Sequence, residues 1–142
     1  MDRSSEARWT GDLKTGTGVV KLGSGGLESQ YSFASRFESG TGTNPEELLG
    51  AAHAGCFTMA LNNTLAKAGH LPTSITTTAT VHLTKGDAGF GISGITLTTR
   101  GVVPGITAEE FQKAAEDTKT GCIVSKALSA VPMTLHAQLV AG

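Results

Sequence analysis

Charge is scarce in this sequence. Only 16% of its 142 residues are Asp, Glu, Lys or Arg, against about a quarter in an ordinary globular domain. The eleven Lys and Arg are scattered and the formal net charge is -1, so there is no basic footprint for nucleic acid. So few charges also leave a monomer short of solvated surface, which predicts that a second subunit covers part of it. Long apolar runs are missing too. No stretch approaches the roughly 18 uninterrupted apolar residues of a membrane span, and the first dozen residues mix charges of both signs without a signal-peptide core. The expectation is a soluble, cytoplasmic protein with no membrane partner. Cysteine is nearly absent: Cys56 and Cys122 are the only two. A chain of this length can bury enough surface to fold without disulfides or a metal. In a reducing compartment, pairing of these two thiols is transient, as in catalysis or redox sensing.

What is abundant is glycine, with nineteen residues that punctuate short elements. Segments 7–13, 17–22 and 27–37 read as a three-stranded meander. Asn44-Pro45-Glu46-Glu47 then opens the longest helix, with Asn44 or Thr43 as cap, Pro45 in the first turn and acidic residues at the positive dipole end. Gly69 stops it. Residues 48–61 are apolar or small on almost every face, which predicts a helix buried all round, and Gly50, Ala51, Ala52, Ala54 and Gly55 admit close approach of another backbone. Segments 74–85 and 91–103, rich in Thr, Ile and Val, read as a hairpin around Gly86-Asp87-Ala88-Gly89. Thr107-Ala108-Glu109-Glu110 is a capping box for a helix to about Thr120. Gly121 breaks it, Cys122 begins a shorter helix to about Ala130, and a strand follows Pro132. This order predicts one α+β domain over residues 1–142, with antiparallel sheets packed around a long central helix.

Few side chains here can make or break bonds. Cys56, well inside a helix, reads either as a small inert core residue or as a nucleophile. An unaided thiol is mostly protonated at neutral pH, so a reactive Cys56 needs a cation from elsewhere in the fold. Arg36, flanked by Phe33 and Phe37, is a candidate, and it also reads as a strand-end arginine facing water. Cys122 sits at a helix start, where free N–H groups favour a thiolate. His53 and Cys56 share a helix face, but no further ligands complete a zinc site. The loop Gly40-Thr41-Gly42-Thr43 lacks the rest of a phosphate-binding motif, and no GxSxG anchors hydrolase chemistry.

The strings TNPEELLGAAHAGCFTMAL and GCIVSKAL, with ARWTGDLKTGTG, FASRFE, PTSITTTATVHLTK, DAGFGIS and VPGI, resemble the OsmC/Ohr family of osmotically inducible and organic-hydroperoxide-resistance proteins, OsmC branch. The likeness spans essentially the whole chain. It implies an intertwined homodimer that reduces organic hydroperoxides, and hydrogen peroxide as an alternative, with two cysteines and neither metal nor flavin. Carried over position by position, it implies that Cys56 is the peroxidatic cysteine, Cys122 the resolving one, Arg36 the activating arginine and Glu46 the active-site glutamate. Ile123 departs from the family's pattern, which places proline directly after the second cysteine.

The implied chemistry is attack of the Cys56 thiolate on the O–O bond, a sulfenic acid, closure of a Cys56–Cys122 disulfide, and reduction by an external dithiol. Along one unbroken helix Glu46 would stand about 15 Å from Cys56. Glu46 therefore acts through a helix bend or break near Gly50, or across a dimer, and its economical role is a bidentate ion pair that aims Arg36. Leu48, Leu49, Phe57, Met59, Phe33 and Phe37 would give the substrate apolar surroundings. Two other readings compete: a non-catalytic protein with structural thiols, and a redox sensor whose disulfide alters a partner contact.

Overall fold

A computed structural model of the chain describes residues 1–141 and divides into two compact units, residues 1–48 and the remainder from Leu49. In the first unit, β1 (Ser5–Thr10), β2 (Thr17–Leu22) and β3 (Glu28–Tyr31) form an antiparallel meander. Gly18 lies opposite both Trp9 and Tyr31, whose rings meet over it at 5.4 Å between centroids.

The extended reading of residues 27–37 is corrected here: the strand ends at Tyr31 and Phe33–Phe37 form a short helix, α1. Ser32 caps it, accepting from the Ser35 N–H while the Ser35 hydroxyl accepts from the Ser32 N–H. That reciprocal box satisfies two of the donors that a helix start leaves unpaired, and so turns the chain out of the sheet.

The long helix α2 runs from Pro45 to Lys67 without a break at Gly50. Asn44 is its cap, its side-chain oxygen accepting from the Glu47 N–H at 2.8 Å. At the far end Gly69 takes φ +89°, and the His70 N–H reaches back to the Leu65 carbonyl at 2.9 Å. This left-handed ending costs glycine no steric penalty.

In the second unit β4 (Ser74–Gly86) and β5 (Gly89–Val102) pair antiparallel, and α3 (Ala108–Gly121) and α4 (Ile123–Ala127) follow. The last strand, β6 (Met133–Leu139), joins β5 in parallel. The α+β class holds, but the expectation of antiparallel sheets is corrected for this pairing. The two-helix crossover between β5 and β6 returns the chain to the same end of the sheet, which permits a parallel neighbour.

One core fills this unit: Phe57, Leu61 and Leu65 from α2, Ile95 and Leu97 from β5, Phe111 and Ala115 from α3, and Cys122. The α2 residues that face it recur at helical spacing, as Gly50, His53, Phe57, Leu61 and Leu65. A Cβ on Gly50 would come within 3.0 Å of the Ala79 carbonyl oxygen on β4, so the strand backbone lies against the helix there. The expectation that residues 48–61 are buried all round is overturned, since Ala51, Ala52, Gly55 and Met59 are exposed and the sheet covers a single side. No helix among the described residues is long and apolar enough to cross a membrane.

Gly101 of β5 lies directly under the buried Phe111 ring, whose Cε2 would be 2.5 Å from an added Cβ. Gly101→Ala is expected to lower stability by about 1–3 kcal/mol through this overpacking. The check is a lower urea midpoint at unchanged m-value.

Candidate active site

The four residues singled out from the sequence fall into two pairs, one in each unit. In the first unit, Arg36 on α1 meets Glu46 in the first turn of α2. The carboxylate accepts from Nη2 at 2.7 Å and from Nε at 3.2 Å to each of its oxygens. Glu46 is nearly buried while the arginine side chain keeps 39% of its surface. The planar fork is thereby fixed by its Nε edge. It also lies over the Phe37 ring, 5.1 Å from the centroid, and that ring packs on Phe33.

The second pair is the two thiols. Cys56, midway along α2, and Cys122, the cap residue between α3 and α4, place their sulfurs 2.9 Å apart as free cysteines. A disulfide would need about 2.05 Å, so the sulfurs are unbonded and in hydrogen-bond contact. Cys122 is 2% exposed and Cys56 half-buried.

The two thiols are driven in opposite directions. Burial pushes the Cys56 thiol up, and Cys122 adds to the rise, against the opposing N–H groups of Val124 and Ile123. Burial also acts to raise Cys122, but the hydrogen bond with Cys56, the N–H groups of Ser125 and Val124, and the Ser125 hydroxyl together hold it below its ordinary value. Either thiol can supply a single shared proton, so donor direction decides little. Within this unit more donors converge on Cys122 than on Cys56, which eases ionisation of Cys122 relative to Cys56. Cys56 therefore still lacks a cation of its own.

Sequence reasoning treated the helix start as a device for Cys122 alone. The N–H groups of Ile123 and Val124 favour the Cys56 thiolate as well, a relation that no local spacing reveals. It also missed Ser125, whose hydroxyl lies 2.7 Å from Nε2 of the fully buried His53. A signal was present. His53 precedes Cys56 by three residues and Ser125 follows Cys122 by three, the spacing that puts helix side chains on one face. Phe57, offered as apolar surroundings for a substrate, is fully buried in the core and unavailable to one.

Comparison with known proteins places this geometry among relatives. Residues 38–136 match the model of the OsmC-like protein family. Peroxiredoxin OsmC of Escherichia coli (strain K12) is 51% identical over 140 residues, covering 98% of this chain and 97% of the relative. Among solved structures, an organic hydroperoxide resistance protein from Elizabethkingia anophelis superposes with TM-score 0.70 at 27% identity, covering 98% of this chain and 96% of that one. An OsmC-like protein of unknown function from Vibrio cholerae reaches TM-score 0.76 at 16% identity, covering 96% of this chain and 99% of that one; at that identity the likeness is one of fold.

Ile123 supplies an N–H that a proline at the same position would lack, and its side chain is 79% exposed. Cys122 has ψ 135°, the extended conformation that a residue before proline prefers. Ile123→Pro therefore removes the donor without forcing the backbone. In a Cys122→Ser background it is expected to slow alkylation of Cys56 by iodoacetamide about threefold, the size of one modest hydrogen bond. An unchanged rate would show that this N–H does not bear on Cys56.

Proposed function

This chain belongs to the OsmC-like family, and from that premise we infer that it is a thiol-dependent peroxidase that reduces organic hydroperoxides through Cys56 and Cys122. The observation that carries the reading is the pair of free sulfurs 2.9 Å apart. That separation puts a second thiol at hand the moment the first is oxidised.

Cys56, as thiolate, attacks the distal oxygen of the hydroperoxide. The O–O bond breaks with its electron pair leaving on the alcohol oxygen, which takes up a proton, and Cys56 becomes a sulfenic acid. Arg36 is assigned to the anions of this step. Its fork, held along one edge by Glu46, keeps N–H donors for the peroxide oxygens and supplies the positive charge that Cys56 lacks. Cys122 then displaces the sulfenic oxygen to form the disulfide, and an external dithiol reduces it. The reducing cytoplasm is the setting that fits such a cycle.

The active form is assigned as a homodimer over residues 1–142. Its support is the exposed α2 stripe of Ala51, Ala52, Gly55 and Met59, with Met59 keeping 77% of its surface. Small residues let a second backbone approach closely, and covering Met59 removes apolar area from water. Met59→Glu is expected to convert a sedimenting dimer to monomer. A chain that sediments as a monomer before substitution defeats this assignment.

The reaction is tested by stopped-flow with cumene hydroperoxide and a dithiol. Cys56→Ser should abolish turnover. Cys122→Ser should reduce one equivalent and then stall or over-oxidise. Arg36→Ala should lower kcat/KM by about a hundredfold, comparable to loss of one preorganised charge-stabilising donor. Turnover that persists in Cys56→Ser would end the reading.

A further inference from the structure

An external dithiol must open the disulfide that closes the proposed cycle, and it has two sulfurs to choose between. They differ in access. Cys122 keeps 2% of its surface and belongs to the core with Phe57, Phe111 and Ala115. Cys56 packs against that core from α2 and stays half-buried. Just ahead of it Gly55 is exposed, and a Cβ added there would meet nothing within 4 Å. Gly121 and Ile123, on either side of Cys122, are exposed too, but thiol exchange needs the sulfur itself and not its neighbours.

Exchange also has a direction. The entering sulfur, the sulfur attacked and the sulfur that leaves lie close to one line, so a thiolate approaches each half of a disulfide from the side away from the other half. For Cys122 every side is closed by the core. For Cys56 the side toward Cys122 is filled by a sulfur 2.9 Å away, so the surface it still shows lies elsewhere, where a thiolate can arrive. Forming the bond draws the sulfurs together by only about 0.9 Å, too little to bring Cys122 out of the core. A second subunit laid on α2 could cover more of Cys56, but none could uncover Cys122. The leaving group favours the same choice. Burial raises the Cys56 thiol while donors at the α3–α4 junction hold Cys122 below its ordinary value, and exchange is faster when the thiol of lower pKa departs.

We propose that the reductant enters at Cys56: its thiolate attacks the Cys56 sulfur of the disulfide, and Cys122 is the sulfur that leaves. The inference rests on the peroxidase reading for the place of this disulfide in a cycle. In the step, an electron pair of the entering thiolate forms a bond to Cys56, the Cys56–Cys122 bond breaks with its pair leaving on Cys122, and that sulfur takes up a proton. The second thiol of the reductant then loses its proton and attacks the reductant's own first sulfur. That bond to Cys56 breaks with its pair returning to Cys56, the reductant departs as a disulfide, and both cysteines are free again. Peroxide and reductant thus use the same sulfur in turn, and Cys122 meets neither.

The test uses the full two-cysteine chain, oxidised with diamide in place of peroxide. 2-Mercaptoethanol, a monothiol that cannot complete the second exchange, is added, the reaction is stopped with acid at successive early times, and peptic peptides are weighed to locate the adduct. Extrapolated to zero time, adduct on Cys56 should exceed adduct on Cys122 by at least about tenfold. In urea, where the fold hides neither sulfur, the excess should fall to within about threefold. Adduct mainly on Cys122, equal adduct on both, or an excess that persists undiminished in urea would each overturn the proposal. So would a chain in which diamide closes no bond between the two cysteines. Should the adduct be too short-lived to weigh, Cys122→Ser and Cys56→Ser, each carrying thionitrobenzoate on its remaining cysteine, decide the matter. Mercaptoethanol should release thionitrobenzoate about tenfold faster from Cys56 than from Cys122, and equal rates would refute the order of attack. Because no peroxide is used, an adduct on Cys56 in a chain without peroxide turnover would defeat the peroxidase reading and leave this proposal standing.

Discussion

Two sulfurs 2.9 Å apart can share a proton but cannot both carry a negative charge, and the second unit is organised around that constraint. The sulfur from α2 is brought to a fixed depth because its helix neighbour Phe57 is locked into the core with Leu61 and Leu65. The sulfur from the α3–α4 junction is brought there because Phe111 and Ala115 seat α3 in that core. Once both helices are seated, the contact is not adjustable by small side-chain motions, since close-packed interiors resist them. What remains adjustable is where the single charge lies.

The break between α3 and α4 gives that charge its surroundings. Cys122 ends one helix and caps the next, so its sulfur sits where α4 presents N–H groups with no partners inside the helix. Had α3 simply continued, those N–H groups would have been satisfied by carbonyls one turn back. The donors that the interruption frees are shared by both sulfurs, with Val124 common to the two. Ile123 belongs to the same arrangement, through its N–H and not its exposed side chain.

Much of this was legible in the sequence where the cause is local. The Thr107–Glu110 capping box, the Asn44 cap with Pro45, and the hairpin from Ser74 to Val102 lie where local chemistry puts them. The short helix at Phe33 was hidden because its box uses serine at both positions, where glutamate or glutamine is the usual third member. The parallel direction of β6 was hidden because it depends on the whole crossover. The uniformly apolar composition of residues 48–61 told that the helix has apolar neighbours but not that one side lacks them within a single chain. Glu46 was singled out by the family resemblance, and its pairing with Arg36 then followed from the fork that guanidinium offers a carboxylate. The link from His53 to Ser125 spans 72 residues, and spacing alone paired His53 only with Cys56, as an incomplete zinc site.

Taken with the proposed assignments, these features impose an order on the chemistry. Before peroxide arrives, donors within the second unit lower the pKa of Cys122 while burial raises that of Cys56, so the sulfur assigned to the first attack is the one less easily ionised. A guanidinium acting on Cys56 corrects this, because one proton between two sulfurs moves a short distance at little cost and a single charge follows the stronger cation. After the first attack Cys56 is a neutral sulfenic acid and no longer competes for the charge. The α4 N–H groups then act on Cys122 alone, the sulfur that must now be a nucleophile. One set of donors so serves both halves of the cycle. Only the first half requires charge from the arginine, so weakening the Arg36–Glu46 pair should burden peroxide attack while leaving closure of the disulfide to groups that the second unit already holds.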